Sequence, residues 1–127
     1  MIISLATLAI LSVYCEKGKV HDFKMFKDSG RLIHPTTTLL ADLGYQGIRK
    51  IHSNSQIPIK KKKQQQLAPV DKKYNRQLAL VRCAIEHVNR RCKIFRVVKE
   101  VYRGKHKHYS KTWNLIAGLV NWRYATV

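Results

Sequence analysis

Residues 39–48 read Leu39-Leu40-Ala41-Asp42-Leu43-Gly44-Tyr45-Gln46-Gly47-Ile48. A short apolar run leads to a single aspartate, and a turn punctuated by two glycines follows at once. This order is typical of a buried strand that holds a carboxylate at its carboxyl end. An aspartate before a glycine is equally an ordinary turn residue. The stretch therefore predicts a strand ending at Asp42, and it leaves open whether Asp42 is a functional carboxylate or a turn residue.

The charge of the chain is strongly unbalanced. The 127 residues include 25 Lys and Arg against 7 Asp and Glu, a formal net charge of +18. Such an excess predicts a polyanionic partner, with nucleic acid first, although a solvated basic face without a partner stays open. The length allows one domain with a hydrophobic core, so we predict a single domain over residues 1–127.

The cysteines and the opening segment bear on the cellular compartment. Three cysteines without a CxxC motif predict a reduced, cytoplasmic protein. Residues 1–15 are uncharged, so they lack the basic residue of a signal peptide, and they are shorter than the roughly 20 apolar residues of a membrane span. We therefore predict a buried strand that turns at residues 17–19, with no membrane partner. A small cationic protein anchored in a membrane is the less favoured alternative.

Residues 20–30 predict a short helix. Asp22 is positioned to cap its amino terminus, Phe23 and Phe26 share one face, and Gly30 lies just past its end. His21 and Asp22 are also candidates for residues that contact the ligands of a metal ion without binding the ion themselves. For Asp22 the capping role is the favoured interpretation.

A strand and then a loop are predicted in the middle of the chain. Residues 36–40, Thr-Thr-Thr-Leu-Leu, predict the strand that carries Asp42. Residues 56–69 are basic and polar, so they cannot bury themselves and are predicted to form an exposed loop or insertion. This segment contains four consecutive lysines, Lys60, Lys61, Lys62 and Lys63. They are candidates for contact with DNA phosphates, or they form a solvated run.

The clearest periodicity begins after Pro69. Apolar residues recur at spacings of three and four, which predicts a long amphipathic helix. They are Leu78, Val81, Ile85, Val88, Cys92 and Phe95. A last helix is predicted from a cap at Ser110 to about Trp122, again with an apolar repeat.

Glu86 lies among cations on the long helix. Arg82, Glu86 and Lys93 fall on a narrow arc beside the apolar stripe, and Arg90 lies one turn beyond Glu86. One interpretation is an ion pair of Glu86 with Arg82 or Arg90, worth a few tenths of a kcal/mol. The other is a carboxylate directed at a metal ion, with cations beside it that meet phosphate.

Three stretches together resemble the DDE transposase superfamily, in the branch of bacterial insertion-sequence transposases and their Harbinger-type relatives. They are residues 18–23, Gly-Lys-Val-His-Asp-Phe; residues 41–47, Ala-Asp-Leu-Gly-Tyr-Gln-Gly; and residues 75–93, with Phe95 and Asn121 beyond them. The third contains Arg82, Glu86 and Lys93 in the order Arg-x3-Glu-x6-Lys. The resemblance covers nearly the whole chain, and it implies an α/β fold of the ribonuclease H-like type.

The resemblance also implies site residues, cofactors and partners. Asp42 and Glu86 take the places of the second and third catalytic carboxylates, which hold Mg²⁺ or Mn²⁺ for two-metal cleavage and joining of DNA. Arg82 and Lys93 would bind phosphate, with Arg90 nearby. The implied partners are DNA, as element ends and as target, and either the upstream half of the same transposase or further copies of the chain.

Two departures from the family pattern stand out. Ala79 occupies a position where the related signature has tyrosine. The family's first catalytic aspartate lies upstream of the Gly18 stretch, and no aspartate precedes Gly18 here. We therefore expect the carboxyl-terminal part of a transposase domain, a partial ribonuclease H-like fold lacking its first strands and inactive alone. The alternative is a non-enzymatic basic nucleic-acid-binding protein, in which Asp42 and Glu86 are turn and ion-pair residues.

Overall fold

A computed structural model describes residues 1–15, 20–30, 32–63 and 65–125. It contains four α-helices and four short β-strands. The helices are α1 Asp22–Asp28, α2 Pro69–Lys93, α3 Arg96–Lys99 and α4 Tyr109–Ala125, and the strands are β1 Ile2–Ile3, β2 Ile10–Ser12, β3 Leu39–Leu40 and β4 Ser55–Gln56. This mixture of helices and small sheets is compatible with the predicted α/β class, and the long helix and the carboxyl-terminal helix are both confirmed. The partial ribonuclease H-like arrangement stays a prediction.

The chain divides into two compact units, which we describe separately. We call Met1–Lys17 together with Cys83–Val127 the terminal unit, and Gly18–Arg82 the middle unit. Helix α2 contributes residues to both. None of the helices in the described ranges is both long enough and apolar enough to cross a membrane.

The terminal unit opens with a hairpin, so the prediction of a single strand over residues 1–15 was wrong. Strands β1 and β2 pair antiparallel, with Ile3 opposite Ile10. The Leu8 N–H donates to the Ser4 carbonyl at 2.8 Å, and Leu8 takes a left-handed φ of 57° at the turn. An apolar run has the same composition in a strand and in a hairpin, which is why the pattern could not separate them. The turn predicted at residues 17–19 lies outside the described residues.

The core of the terminal unit lies between this hairpin and two helices. Its buried members come from β2 and the residue that follows it, from α2 and from α4: Ile10, Val13, Val88, Cys92, Ile116, Ala117 and Val120. The apolar repeat of α4 is thereby confirmed, although the helix begins at Tyr109 and ends at Ala125, so Ser110 lies inside its first turn. On α2 the predicted stripe holds at Leu78, Val88 and Cys92, whereas Val81 is exposed.

A side-chain amide completes the hydrogen bonding of β2. The Asn121 Oδ1 accepts from the Ile10 N–H at 2.8 Å, and the Asn121 Nδ2 donates to the Ile10 carbonyl at 2.9 Å. Ile10 is buried, and an unpaired buried peptide group is costly. Asn121 therefore satisfies the backbone groups that a further strand would otherwise pair with.

In the middle unit, α1 confirms the predicted short helix but not its cap. The N-cap is His21, whose Nδ1 accepts from the Phe23 N–H at 3.3 Å, and Asp22 is the first helical residue. An imidazole nitrogen with a free lone pair can cap a helix as a carboxylate does, and Asp22 remains favourable beside the positive end of the helix dipole. Gly30 follows with a φ of 59°, as expected of a glycine past a helix end.

Strand β3 confirms the predicted strand before Asp42, in a shorter form than residues 36–40. It pairs parallel with β4, with Leu39 opposite Ser55 and Leu40 opposite Gln56. The Ala41 N–H donates to the Gln56 carbonyl at 3.0 Å, so pairing continues to the residue before Asp42. The residue that carries the carboxylate is therefore fixed at the end of a hydrogen-bonded strand.

Candidate active site

Asp42 leaves β3 and caps the turn that follows. Its backbone is extended, and its Oδ1 accepts from the Leu43 N–H at 2.6 Å at the start of a 3₁₀ turn over Leu43–Tyr45. The Tyr45 N–H closes the turn on the Asp42 carbonyl at 3.0 Å. The short strand, a capping carboxylate and a small residue at Gly44 account for this local structure. The structural role of Asp42 is thus that of a turn residue, while its side chain stays 58% exposed and accessible.

Arg82 is the cation next to Asp42. Its Nη1 lies 3.1 Å from the Asp42 Oδ1, and the Arg82 side chain is 31% exposed. Both residues belong to the middle unit. An ion pair this exposed contributes at most about 1 kcal/mol to stability. The arrangement therefore sets a basic group beside the carboxylate without burying either.

Tyr45 is the last residue of the same turn, and its ring packs against α1. Its ring lies 5.7 Å from the Phe23 ring and 6.2 Å from the Phe26 ring, centroid to centroid, which confirms that the two phenylalanines share a face of α1. Burial raises the pKa of the Tyr45 phenol above its ordinary value, and the negative charges of Asp22 and Asp42 raise it further. The aromatic contacts join α1 to the Asp42 turn.

His21 and Asp22 lie near this turn. A Cβ placed on Gly44 would be 3.7 Å from the His21 Cε1, so the imidazole packs over the glycine that follows Asp42 by two residues. His21 also caps α1, and Asp22 acts on the charge environment of Tyr45. Both residues therefore have structural roles, and their predicted support of a metal ion stays a prediction. In the described ranges, no three His, Cys, Asp or Glu side chains converge closely enough to hold a metal ion.

Glu86, Arg90 and Lys93 lie on the part of α2 that belongs to the terminal unit, and all three are exposed. Within the described residues Glu86 forms no ion pair with Arg90. Arg82, its other predicted partner, pairs with Asp42. The ion-pair interpretation of Glu86 was therefore wrong, and its carboxylate faces solvent.

Of the loop predicted over residues 56–69, residues 57–63 and 65–68 lie outside helices and strands, whereas Gln56 belongs to β4 and Pro69 to α2. Lys60, Lys61, Lys62 and Lys63 are all exposed. The Asn75 Oδ1 accepts from the Ile59 N–H at 2.8 Å, and its Nδ2 donates to the Ile59 carbonyl at 3.0 Å. This clamp fixes the residue before the first lysine on the second turn of α2.

His52 and Ser55 were not recognised from the sequence. Both are buried, and the His52 Nδ1 lies 3.1 Å from the Ser55 Oγ. The His52 Nε2 donates to the His34 carbonyl at 3.3 Å, and the Arg49 Nε donates to the Ser55 carbonyl at 3.1 Å. These bonds tie β4 to the segment before β3. Their only sequence signal is a histidine three residues before a serine, which is too common to be diagnostic.

Comparison with known proteins gives the family. The model of the family described as DDE superfamily endonuclease matches residues 1–121. A probable transposase for insertion sequence element IS702 from Microchaete diplosiphon is 44% identical over 125 residues, which cover 98% of this chain and 45% of that protein. The chain thus spans less than half the length of this relative, and no solved structure matches it. The resemblance read from the three stretches is confirmed: the chain belongs to the DDE superfamily endonucleases, with an insertion-sequence transposase among its relatives.

Proposed function

We propose that this chain supplies the carboxylates Asp42 and Glu86 to a DNA transposase that cleaves and joins element ends. The observation that carries the proposal is the position of Asp42, an exposed carboxylate at the end of a parallel strand with an arginine 3.1 Å away. A carboxylate in that position can hold a cation, and the guanidinium beside it can bind a phosphate. The family match over residues 1–121 supports the same assignment.

The donor chemistry of the two residues fits Mg²⁺ or Mn²⁺. Both are carboxylates, both are exposed, and Mg²⁺ sites in proteins use one or two carboxylates together with water and substrate phosphates. Bound there, such ions would activate water and stabilise the leaving oxygen. Asp42 and Glu86 would hold the ions, whereas Arg82, Arg90 and Lys93 would orient the DNA backbone through its phosphates.

DNA is the partner that the composition favours, and the net charge of +18 supports it. The exposed Lys60–Lys63 run would add backbone contacts that do not depend on base sequence. Three reduced cysteines, Cys15, Cys83 and Cys92, agree with a cytoplasmic location. We further propose that the two small sheets belong to a ribonuclease H-like fold, and that copies of the chain or an upstream segment assemble with it.

The first catalytic carboxylate would come from outside these 127 residues. No aspartate precedes Gly18 in the sequence, and the chain corresponds to 45% of the IS702 relative. With two of three carboxylates, the isolated chain should not cleave DNA. Joining it to an upstream segment that bears the missing aspartate should restore cleavage.

A second candidate function is non-enzymatic binding of nucleic acid. The favouring observation is that Asp42 already has a structural task, since its Oδ1 caps the Leu43–Tyr45 turn and pairs with Arg82. In that case the cations bind DNA, and the two carboxylates have no joint role. Both functions predict DNA affinity that falls steeply as salt concentration rises.

Binding of Mn²⁺ to the 127-residue chain separates the two functions. Titration followed by electron paramagnetic resonance should show a site that weakens in Asp42→Asn and also in Glu86→Gln. Asp71→Asn, which removes an acid from the first turn of α2, is the matched control and should bind as the parent does. Equal Mn²⁺ binding by the parent and both carboxylate variants would favour the second function.

A further inference from the structure

The segment Tyr102–Tyr109, which joins α3 to α4, is held closed by its two end residues. The rings of Tyr102 and Tyr109 lie 4.9 Å apart, centroid to centroid, at an interplanar angle of 55°. Aromatic pairs at this separation attract each other beyond the burial of their surface. Six residues lie between the two tyrosines, and all of them except Gly104 carry side chains that project from a loop whose two ends are in contact. We call Arg103–His108 the basic loop.

Gly104 sets a second constraint on the basic loop. A Cβ placed on this glycine would lie 2.6 Å from the Tyr102 Oη and 2.7 Å from its Cζ. A larger residue here would require the Tyr102 ring to shift, and this ring is the one that contacts Tyr109. The observed position of the Tyr102 ring against the backbone therefore requires glycine at residue 104. The His108 N–H closes the far side on the Lys105 carbonyl at 2.8 Å.

The charge on the basic loop is uncompensated. Its five polar side chains are all exposed: Arg103, Lys105, His106, Lys107 and His108. Glu100 is the last acidic residue of the sequence, and its Oε1 forms an ion pair with the Arg96 Nε at 2.9 Å. Within the described residues, no acid forms an ion pair with the loop. Three permanent positive charges are therefore held together and face solvent, which attracts a polyanion.

We propose that the basic loop is a preorganised binding surface for the phosphate backbone of duplex DNA, in addition to the cations already assigned. Duplex DNA carries about one charge per 1.7 Å of axis, so a segment this short can meet several phosphates at once. The Tyr102–Tyr109 contact and the hydrogen bond from His108 to Lys105 restrain the backbone that carries the cations, so less conformational freedom is lost on binding. The inference rests on the proposed function only in taking DNA as the partner.

The test is DNA affinity of the full chain across a series of salt concentrations, by fluorescence anisotropy with a duplex of arbitrary sequence. The triple variant R103Q/K105Q/K107Q should lose about tenfold or more in affinity at ~0.1 M salt, and the slope of log affinity against log salt should fall by about 2 to 3. The control variant K24Q/K72Q/K73Q has the same net charge, with its changes on α1 and α2. A control loss as large as that of the loop variant would overturn the proposal.

A second comparison tests the ordering of the loop at constant charge. Gly104→Ala should weaken DNA binding several-fold, because the new methyl group displaces Tyr102 from Tyr109. Gly118→Ala is the matched control, since a Cβ there meets nothing within 4 Å, and it should bind as the parent does. Circular dichroism should show that both variants fold, so that a loss of DNA affinity reports on the loop. Unchanged DNA affinity in Gly104→Ala and in the triple variant would overturn the proposal.

Two further measurements distinguish failure of the basic-loop proposal from failure of the proposed function. The triple variant keeps Asp42 and Glu86, so its Mn²⁺ binding should match that of the parent, and the proposed function stands or falls by that separate measurement. Vesicles containing phosphatidylserine are the competing polyanion. Loss of vesicle binding by the triple variant with intact DNA binding would assign the loop to a membrane surface and overturn the proposal.

Discussion

Tyr45 reports the charge state of the turn that carries Asp42. Its pKa is raised by burial and then by the charges of Asp22 and Asp42. Replacing Asp42 with Asn should therefore lower the pKa of Tyr45 towards its ordinary value of about 10. The absorbance change of the phenolate during a pH titration, taken as the difference from Tyr45→Phe, measures this. Asp28→Asn is the control, and a Tyr45 pKa unaffected by Asp42→Asn would contradict the geometry of the turn.

The same pKa shift gives a stability change of known sign. The folded state holds the phenol proton more tightly than the unfolded state. This contribution to the free energy of unfolding is fully present below the ordinary pKa of about 10 and is lost as pH rises through the folded pKa. The loss of stability above that pH should be smaller in Tyr45→Phe than in the parent.

Arg82 should compete with a divalent cation for Asp42. The guanidinium partly neutralises the carboxylate from 3.1 Å, so Arg82→Gln exposes the full negative charge. We expect Mn²⁺ affinity to rise by up to about fivefold, which corresponds to the roughly 1 kcal/mol of an exposed pair. Affinity for DNA should fall, because a phosphate contact is lost. Arg76→Gln is the control on the same helix, and weaker Mn²⁺ binding in Arg82→Gln would refute the competition.

At the scale of secondary structure, Asn121 holds β2 to α4. Asn121→Leu removes both hydrogen bonds to Ile10 and leaves buried peptide groups unpaired. We expect a loss of about 2 to 3 kcal/mol in the free energy of unfolding, measured by urea denaturation. Asn114→Leu on an exposed position of the same helix should change stability by less than about 0.5 kcal/mol. Equal effects of the two substitutions would show that the hydrogen bonds of the Asn121 amide do not contribute to the free energy of unfolding.

Asn75 is predicted to act on DNA binding through the lysine loop. Asn75→Leu frees Ile59 and should weaken DNA binding, because Lys60–Lys63 lose their anchored start. The effect should vanish when all four lysines are already glutamine, since Asn75 then has no charged loop to position. This double-mutant comparison uses Asn54→Ala, which removes another amide clamp in the middle unit, as its control. An Asn75 effect that persists without the lysines would assign it a different role.

Regular elements could be predicted from sequence where a long pattern repeats. The spacing of apolar residues located α2 and α4, and the apolar run before a glycine turn located the strand end at Asp42. The hairpin of β1 and β2 could not be predicted. Its turn depends on a left-handed backbone conformation at Leu8, and the residue types of this segment do not indicate that conformation. The cap of α1 was displaced by one residue, because a histidine ring accepted the hydrogen bond expected for Asp22.

The residues of the candidate site could be predicted from the sequence, but the contact between two of them could not. Asp42, Arg82 and Glu86 were all singled out from sequence, but the partner of Arg82 was sought on its own helix. Helical spacing reveals only neighbours three or four residues away. The contact of Arg82 with Asp42 joins α2 to the turn after β3, between residues far apart in the sequence, and no local pattern contains it.

At the scale of the whole molecule, each of the two sheets in the described ranges has two strands. Two-stranded sheets are marginal by themselves, and unpaired strand edges invite association with another chain. A net charge of +18 adds repulsion to the folded state. From these features we expect the isolated chain to have low stability and to gain stability when it binds DNA or a protein partner.

The central claim is that Asp42 and Glu86 serve one DNA-cleaving site, and a chimera tests it most directly. The segment of the IS702 relative that matches this chain is exchanged for the chain, and Mg²⁺-dependent cleavage of element-end DNA is measured. The chimera should cleave, Asp42→Asn and Glu86→Gln should each abolish cleavage, and Asp71→Asn should retain it. A chimera that cleaves equally well with Asp42→Asn or Glu86→Gln would contradict the claim.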